Sequence, residues 1–174
     1  MAQFTKKGIT IAELVVTMAT LVVLISVALT VYIAVMRSWL TQERRMSINI
    51  TLDRTVKEMT RDLREAKEID TSINSDEIRF TEDQTTYYIY YLYNSGETYP
   101  PVFDQASYEL RKTALTGTMN GTFTYGSGRV IVRDVVPPPT TDLSYASGIV
   151  TVDLSVSRSD ETIRAKTKVD PRNI

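Results

Sequence analysis

Hydrophobic and polar positions divide this chain into three regimes. From Leu14 to Met36 the sequence runs Leu-Val-Val-Thr-Met-Ala-Thr-Leu-Val-Val-Leu-Ile-Ser-Val-Ala-Leu-Thr-Val-Tyr-Ile-Ala-Val-Met, without a charge. As a helix rising about 1.5 Å per residue, that run reaches roughly 35 Å, enough to cross a bilayer core of about 30 Å. Its β-branched content is no obstacle, because in lipid a helix satisfies all its own backbone polar groups. The hydroxyls of Thr17, Thr20, Ser26 and Thr30 can bond back to carbonyls of the preceding turn.

The second regime is amphipathic. Leu52, Val56, Met59, Leu63 and Ala66 recur at intervals of 4, 3, 4 and 3, one apolar stripe on an otherwise charged surface. Glu58, Arg61, Asp62, Glu65 and their neighbours read as a solvated charged face. Neither glycine nor proline occurs between Ile9 and Ile73. A single helix of about 60 residues, roughly 90 Å long, is therefore predicted. Its first half suits lipid, and its second half offers a stripe to a folded domain. The pattern fades at Ile69-Asp70, and Thr71 to Asp76 reads as a loop.

In the third regime the period shifts to two. Glu77–Thr81, Thr86–Tyr93, Ser107–Arg111, Gly121–Tyr125 and Val130–Val135 are predicted strands. Pro137-Pro138-Pro139 forces an extended connection. Ile149–Val156 and Thr162–Val169 form a predicted hairpin across Ser157 to Asp160. Such an antiparallel sheet can cover the helix stripe with one face, giving an α+β domain. The tyrosines at 87, 88, 90, 91 and 93 are expected to fill one sheet face with hydroxyls at its rim, rather than to stack on a ligand. The acid pairs Asp76-Glu77 and Glu82-Asp83 lack the EF-hand pattern and are assigned structural or solvent roles.

Composition narrows the chemistry. The 174 residues include no cysteine and no histidine, which excludes disulfides, thiolate nucleophiles, Cys/His zinc sites and histidine acid–base catalysis. Net charge is -1, so bulk charge does not point to nucleic acid. With no nucleophile–base constellation, no cofactor site and no metal-ligand spacing, an enzyme is not expected.

The entrance to the apolar run carries the functional signal. Lys6-Lys7-Gly8-Ile9-Thr10-Ile11-Ala12-Glu13 places a basic pair and a glycine before it and one acid just inside it. A cleaved secretory signal would use Ser26-Val27-Ala28, yet the apolar run continues to Met36. A plain signal anchor explains the length but not the glycine, the acid or their spacing. Lys6 and Lys7 precede the span, while Arg37, Arg44 and Arg45 follow it, so positive-inside counting does not decide orientation. Arg37, Trp39 and Gln42 suit the headgroup region.

This junction resembles the prepilin leader of type IV pilins and type II secretion pseudopilins. In that family a short basic leader ends in glycine, the new N-terminus is methylated, and the fifth mature residue is glutamate. The resemblance implies cleavage between Gly8 and Ile9, N-methylation of Ile9, and Lys6 and Lys7 as the basic residues of the leader. It also implies a filament-assembly role for Glu13, pairing with the charged N-terminus of a neighbouring subunit. Desolvated, such a pair would set axial register, and removing one member would be costly. Tyr108-Glu109-Leu110-Arg111, the Gly121 stretch, the final hairpin and Pro171-Arg172-Asn173 are similar to large minor pilins, the W-type minor pilin and the J-type pseudopilin. The cysteine-closed loop common in major pilins has no counterpart here.

The expected organisation is a leader peptide at 1–8, a transmembrane and filament-core helix at 9–36, its amphipathic continuation at 37–70 and a β-rich pilin-like domain at 71–174. The expected function is that of a minor pilin or pseudopilin in filament initiation or at the tip. It would be held single-pass in the cytoplasmic (inner) membrane, its C-terminal domain outside, before joining an extracellular or periplasmic filament. Implied partners are other pilin or pseudopilin subunits, a prepilin peptidase, an inner-membrane platform protein, an assembly ATPase and membrane lipid; nucleic acid is not among them. Two alternatives stay open: a DNA-uptake pilin, marked by an exposed basic patch, and a signal-anchored binding domain that never polymerises.

Overall fold

A computed structural model describes residues 10–70, 76–158 and 161–172. Contacts divide the chain into two compact units, Met1–Arg44 and Arg45–Ile174. One helix, α1 (Ile11–Glu65), supplies the described secondary structure of the first unit and the only helix of the second among the described residues.

The first unit is apolar and uncovered. Every residue from Thr10 to Arg44 is exposed, including Leu21, Leu24, Tyr32 and Trp39. The segment is long and apolar enough to cross a membrane. Thr17, Thr20, Ser26 and Thr30 each donate their hydroxyl to a carbonyl four residues earlier, so these polar groups are satisfied within the helix.

The second unit is α+β: the last turns of α1 against one antiparallel sheet. Its strands are β1 (Glu68–Asp70), β2 (Ile78–Thr81), β3 (Tyr87–Tyr93), β4 (Tyr108–Leu115), β5 (Arg129–Val135), β6 (Asp142–Ala146), β7 (Ile149–Arg158) and β8 (Glu161–Val169). The order is β1-β2-β3-β4-β5-β7-β6, with β8 paired to the other edge of β7. The sheet curls until β6 comes near β2. On the helix, Ile48, Leu52, Met59 and Leu63 are buried and Val56 partly so, with Ala66 buried just past its end, which is the face the spacing predicts. They meet Phe80, Tyr90, Leu110, Val132, Leu154 and Val169 from the sheet. Complete burial of a side chain such as Leu63 contributes about 1.5–3 kcal/mol.

Four features depart from the sequence reading. α1 ends at Glu65 although no breaker follows, and Glu68–Asp70 pair with β2 instead of continuing the helix. Lys67 already donates its backbone N–H to Thr81, and the Arg64 carbonyl, left open by the helix end, accepts from Arg172. Gly121–Tyr125 is not a strand: the Gly121 carbonyl accepts from the Arg79 guanidinium, and Phe123 and Tyr125 fold onto Tyr91. β6 was not predicted. It joins β7 through Ser147-Gly148, whose positive φ angles of 53° and 80° make the two-residue turn favoured in hairpins.

The tyrosines, finally, serve both faces of the sheet and not one. Tyr90 lies in the core beneath α1, whereas Tyr91 joins Ile89, Leu115, Phe123 and Tyr125 in a second cluster on the other side. The β7–β8 hairpin forms as expected, with its turn residues 159–160 outside the described residues. The predicted loop at 71–75 also lies outside them.

Candidate functional site

Lys6, Lys7, Gly8 and Ile9 lie outside the described residues. Glu13, the remaining residue of the expected site, stands in the first turn of α1 and is exposed. Its Oε2 accepts from the Thr10 backbone N–H at 3.0 Å and from the Thr10 hydroxyl at 3.1 Å. The Thr10 Oγ1 in turn accepts from the Glu13 N–H at 3.3 Å. Thr10-Ile11-Ala12-Glu13 is thus a capping box, the S/T-x-x-E pattern in which first and fourth residues satisfy each other's orphan donors. The pattern is local and legible in the sequence. It gives Glu13 a local task besides any pairing between subunits. Around it, Ala12, Val16, Thr17 and Thr20 leave a shallow groove of ≈ 570 Å³ along the helix.

In the second unit the charged groups are organised at three places. The first pins the helix to the sheet. Asp62, on the buried face of α1, accepts from Lys112 Nζ at 2.6 Å and from the Tyr90 hydroxyl at 2.8 Å. The Lys112 ammonium also lies over the Tyr88 ring, 4.7 Å from its centroid. Burial alone would raise the Asp62 pKa, but hydrogen bonds from Lys112 and Tyr90 more than offset it and hold the carboxyl below its ordinary value. Burial and the neighbouring Asp62 push the Tyr90 hydroxyl far up, so it stays a donor. The charge pattern of the sequence predicts Asp62 on a solvated face; its burial against Lys112 and Tyr90 corrects that.

The second network carries the long loops on the outer face of the sheet. Glu77 and Arg79, both buried, pair at 2.9 Å. Arg79 also donates to the carbonyls of Met119 and Gly121 and to the Tyr99 hydroxyl, which donates to Glu77 at 2.9 Å. Asp83, the acid in the second pair considered for calcium, accepts from the backbone N–H groups of Thr85 and Thr86. Hydrogen bonds from the Thr85 hydroxyl and these amides hold its carboxyl low. Among the described residues no group of three acids is placed to hold a metal ion.

The third place is the edge formed by β8. Asp153 on β7, 1% exposed at its side chain, accepts from Arg164 Nε at 2.6 Å and from Lys166 Nζ at 3.1 Å. The Arg164 bonds lower the Asp153 pKa most; burial opposes them, and Lys166 adds to the lowering. On the other side of the strand, Val56, Lys57, Thr60, Arg61, Arg64, Glu65, Thr167 and Arg172 line a groove of ≈ 810 Å³ between α1 and β8. No protein-family profile, curated protein or solved structure matches this chain.

Proposed function

We propose that the chain is a membrane-anchored structural subunit of a filament, a minor pilin or pseudopilin of a type IV pilus or type II secretion system. It is cut between Gly8 and Ile9 and assembled by bundling of its apolar helix. The observation that carries this reading is the apolar stretch of α1. From Ile11 through Leu40 its large side chains are exposed, and none is buried against another part of the chain among the described residues. Lipid can cover that surface before assembly, and the same helix of other subunits can cover it afterwards. An acid at its entrance suits the second environment, where a neighbour's N-terminal ammonium compensates the charge. The α+β unit that follows supplies a body for the filament surface.

Two experiments test the reading. Mass spectrometry of the mature protein is expected to find N-methylated Ile9 at the N-terminus; an intact Met1 would refute the processing. The second separates the two tasks of Glu13. Thr10→Ala removes half of the capping box and keeps the carboxylate, whereas Glu13→Ala removes both. The pairing role predicts that Glu13→Ala abolishes filament incorporation while Thr10→Ala leaves most of it. Equal losses would reduce Glu13 to a cap.

A further inference from the structure

β8 is an edge strand. Among the described residues it pairs with β7 alone, leaving its outer main-chain groups without a strand partner. α1 runs beside it: Arg45 pairs with Glu161 at the start of the strand, and the Arg64 carbonyl accepts from Arg172 just past its end. Between these anchors Ile163, Ala165 and Val169 of β8 pack into the core on this side, and beside Thr167 the groove opens between strand and helix.

Both flanks of the free edge are cationic. Toward the groove stand Lys57, Arg61, Arg64 and Arg172, against the single acid Glu65. On the opposite face β8 exposes Arg164, Lys166 and Lys168. Some of these charges are already answered: Lys57 by Asp53, Arg61 by Asp62, and Arg164 with Lys166 by Asp153. Arg64, Lys168 and Arg172 have no ion pair among the described residues. Lysines on an edge strand by themselves serve to discourage pairing with another chain. Here a groove accompanies them, lined by Arg64 and Arg172, neither of which has an ion pair among the described residues.

We infer that the α1–β8 groove receives an extended acidic segment of a partner protein, added as a further strand to β8. Main-chain hydrogen bonds to the free edge supply affinity, and alternate side chains of the added strand point to the two faces. Acids on one face meet Arg64 and Arg172 in the groove, where the planar guanidinium matches a carboxylate bidentately. Acids on the other face meet Lys168 and its neighbours, so the gatekeeping charges become the recognition elements. Val56, Thr60 and Thr167 line the groove with less polar surface than the cations around them. Among the described residues no aromatic ring lines the groove, so they offer no stacking platform of the kind single-stranded nucleic acid uses. This inference holds whether or not the chain polymerises.

The test uses the full-length chain in detergent micelles and a fluorescent peptide of alternating Glu and Val, read by anisotropy. Saturable binding is expected, with no binding of the matching Lys/Val peptide. Combining Arg64→Glu with Arg172→Glu is expected to weaken it by about tenfold or more. Both residues are exposed, and the neutral pair Arg64→Gln with Arg172→Gln stands in if the reversal disturbs folding. N-methylation of the peptide amides that face β8 is expected to weaken binding by a similar factor. Absence of saturable binding, or equal affinity of the charge variants, overturns the proposal. Equal affinity of the N-methylated peptide removes strand addition, and with it the proposal. An unlabelled oligonucleotide that displaces the probe better than the unlabelled peptide assigns the groove to phosphate instead.

Discussion

Asp62→Ala is predicted to be among the most damaging substitutions in the second unit. The Asp62 side chain is 4% exposed, and it is the acceptor for an ammonium that is itself only 18% exposed. Removing it strands Lys112 and orphans the hydroxyl of the fully buried Tyr90. Breaking a buried pair from one side costs about 3–5 kcal/mol. Lys112 keeps its aromatic faces and a narrow route to water, so the expected loss is at the lower end, about 3 kcal/mol. That is a large share of the 5–15 kcal/mol typical of a domain. Replacing both members, Asp62→Leu with Lys112→Met, removes the stranded charge and is expected to recover part of the loss, with the Tyr90 hydroxyl, still without its acceptor, keeping the variant about 1–2 kcal/mol below the parent. Urea unfolding of the full chain in micelles, followed by circular dichroism, gives the midpoints and the interaction term. A single-substitution cost below about 1 kcal/mol, or a double variant as damaged as the sum of its parts, would refute the argument.

The same group fixes a pH signature. Its folded pKa lies below the ordinary aspartate value, so the unfolded chain takes up the proton first as pH falls. The contribution of the carboxylate is whole above about pH 4 and is lost as pH descends through the folded value. The stability gap between the parent and Asp62→Asn should therefore hold steady at neutral pH and shrink below about pH 4. A gap that widens on acidification would contradict the assignment.

Two further predictions follow from the loops. Gly128→Ala should destabilise far more than Gly117→Ala. Both glycines have positive φ, but a Cβ at 128 meets the Lys112 carbonyl oxygen at 2.4 Å while one at 117 meets nothing within 4 Å. At 117 the cost is mainly the left-handed conformation, about 1–2 kcal/mol; urea midpoints compare the two, and equal shifts would deny the close approach. Tyr99→Phe removes the hydroxyl that joins Glu77 to Arg79 and should speed amide exchange in residues 94–107 while leaving β7 protected. Unchanged exchange in that loop would show that the hydroxyl does not hold it.

The elements that were legible in the sequence are those whose cause is local. A charge-free run from Leu14 to Met36 makes an apolar helix wherever it lies, and a stripe at 52, 56, 59 and 63 selects one buried face by geometry alone. The runs at 87–93 and 149–158 declare themselves strands by β-branched and aromatic content. The capping box at Thr10 and Glu13 was equally local and could have been read. The rest was decided by residues distant in the chain. α1 stops at Glu65 because β2 offers Glu68–Asp70 a ladder, against a sequence that contains no breaker. Gly121–Tyr125 looks like a strand, but the Arg79 guanidinium and the Tyr91 ring claim it. Asp62 reads as one more surface acid until Lys112 and Tyr90 arrive from β4 and β3 to compensate its burial. The cationic edge could not be read at all, because Arg64 and Arg172 lie far apart in the chain and share a groove only once β8 is laid beside the helix.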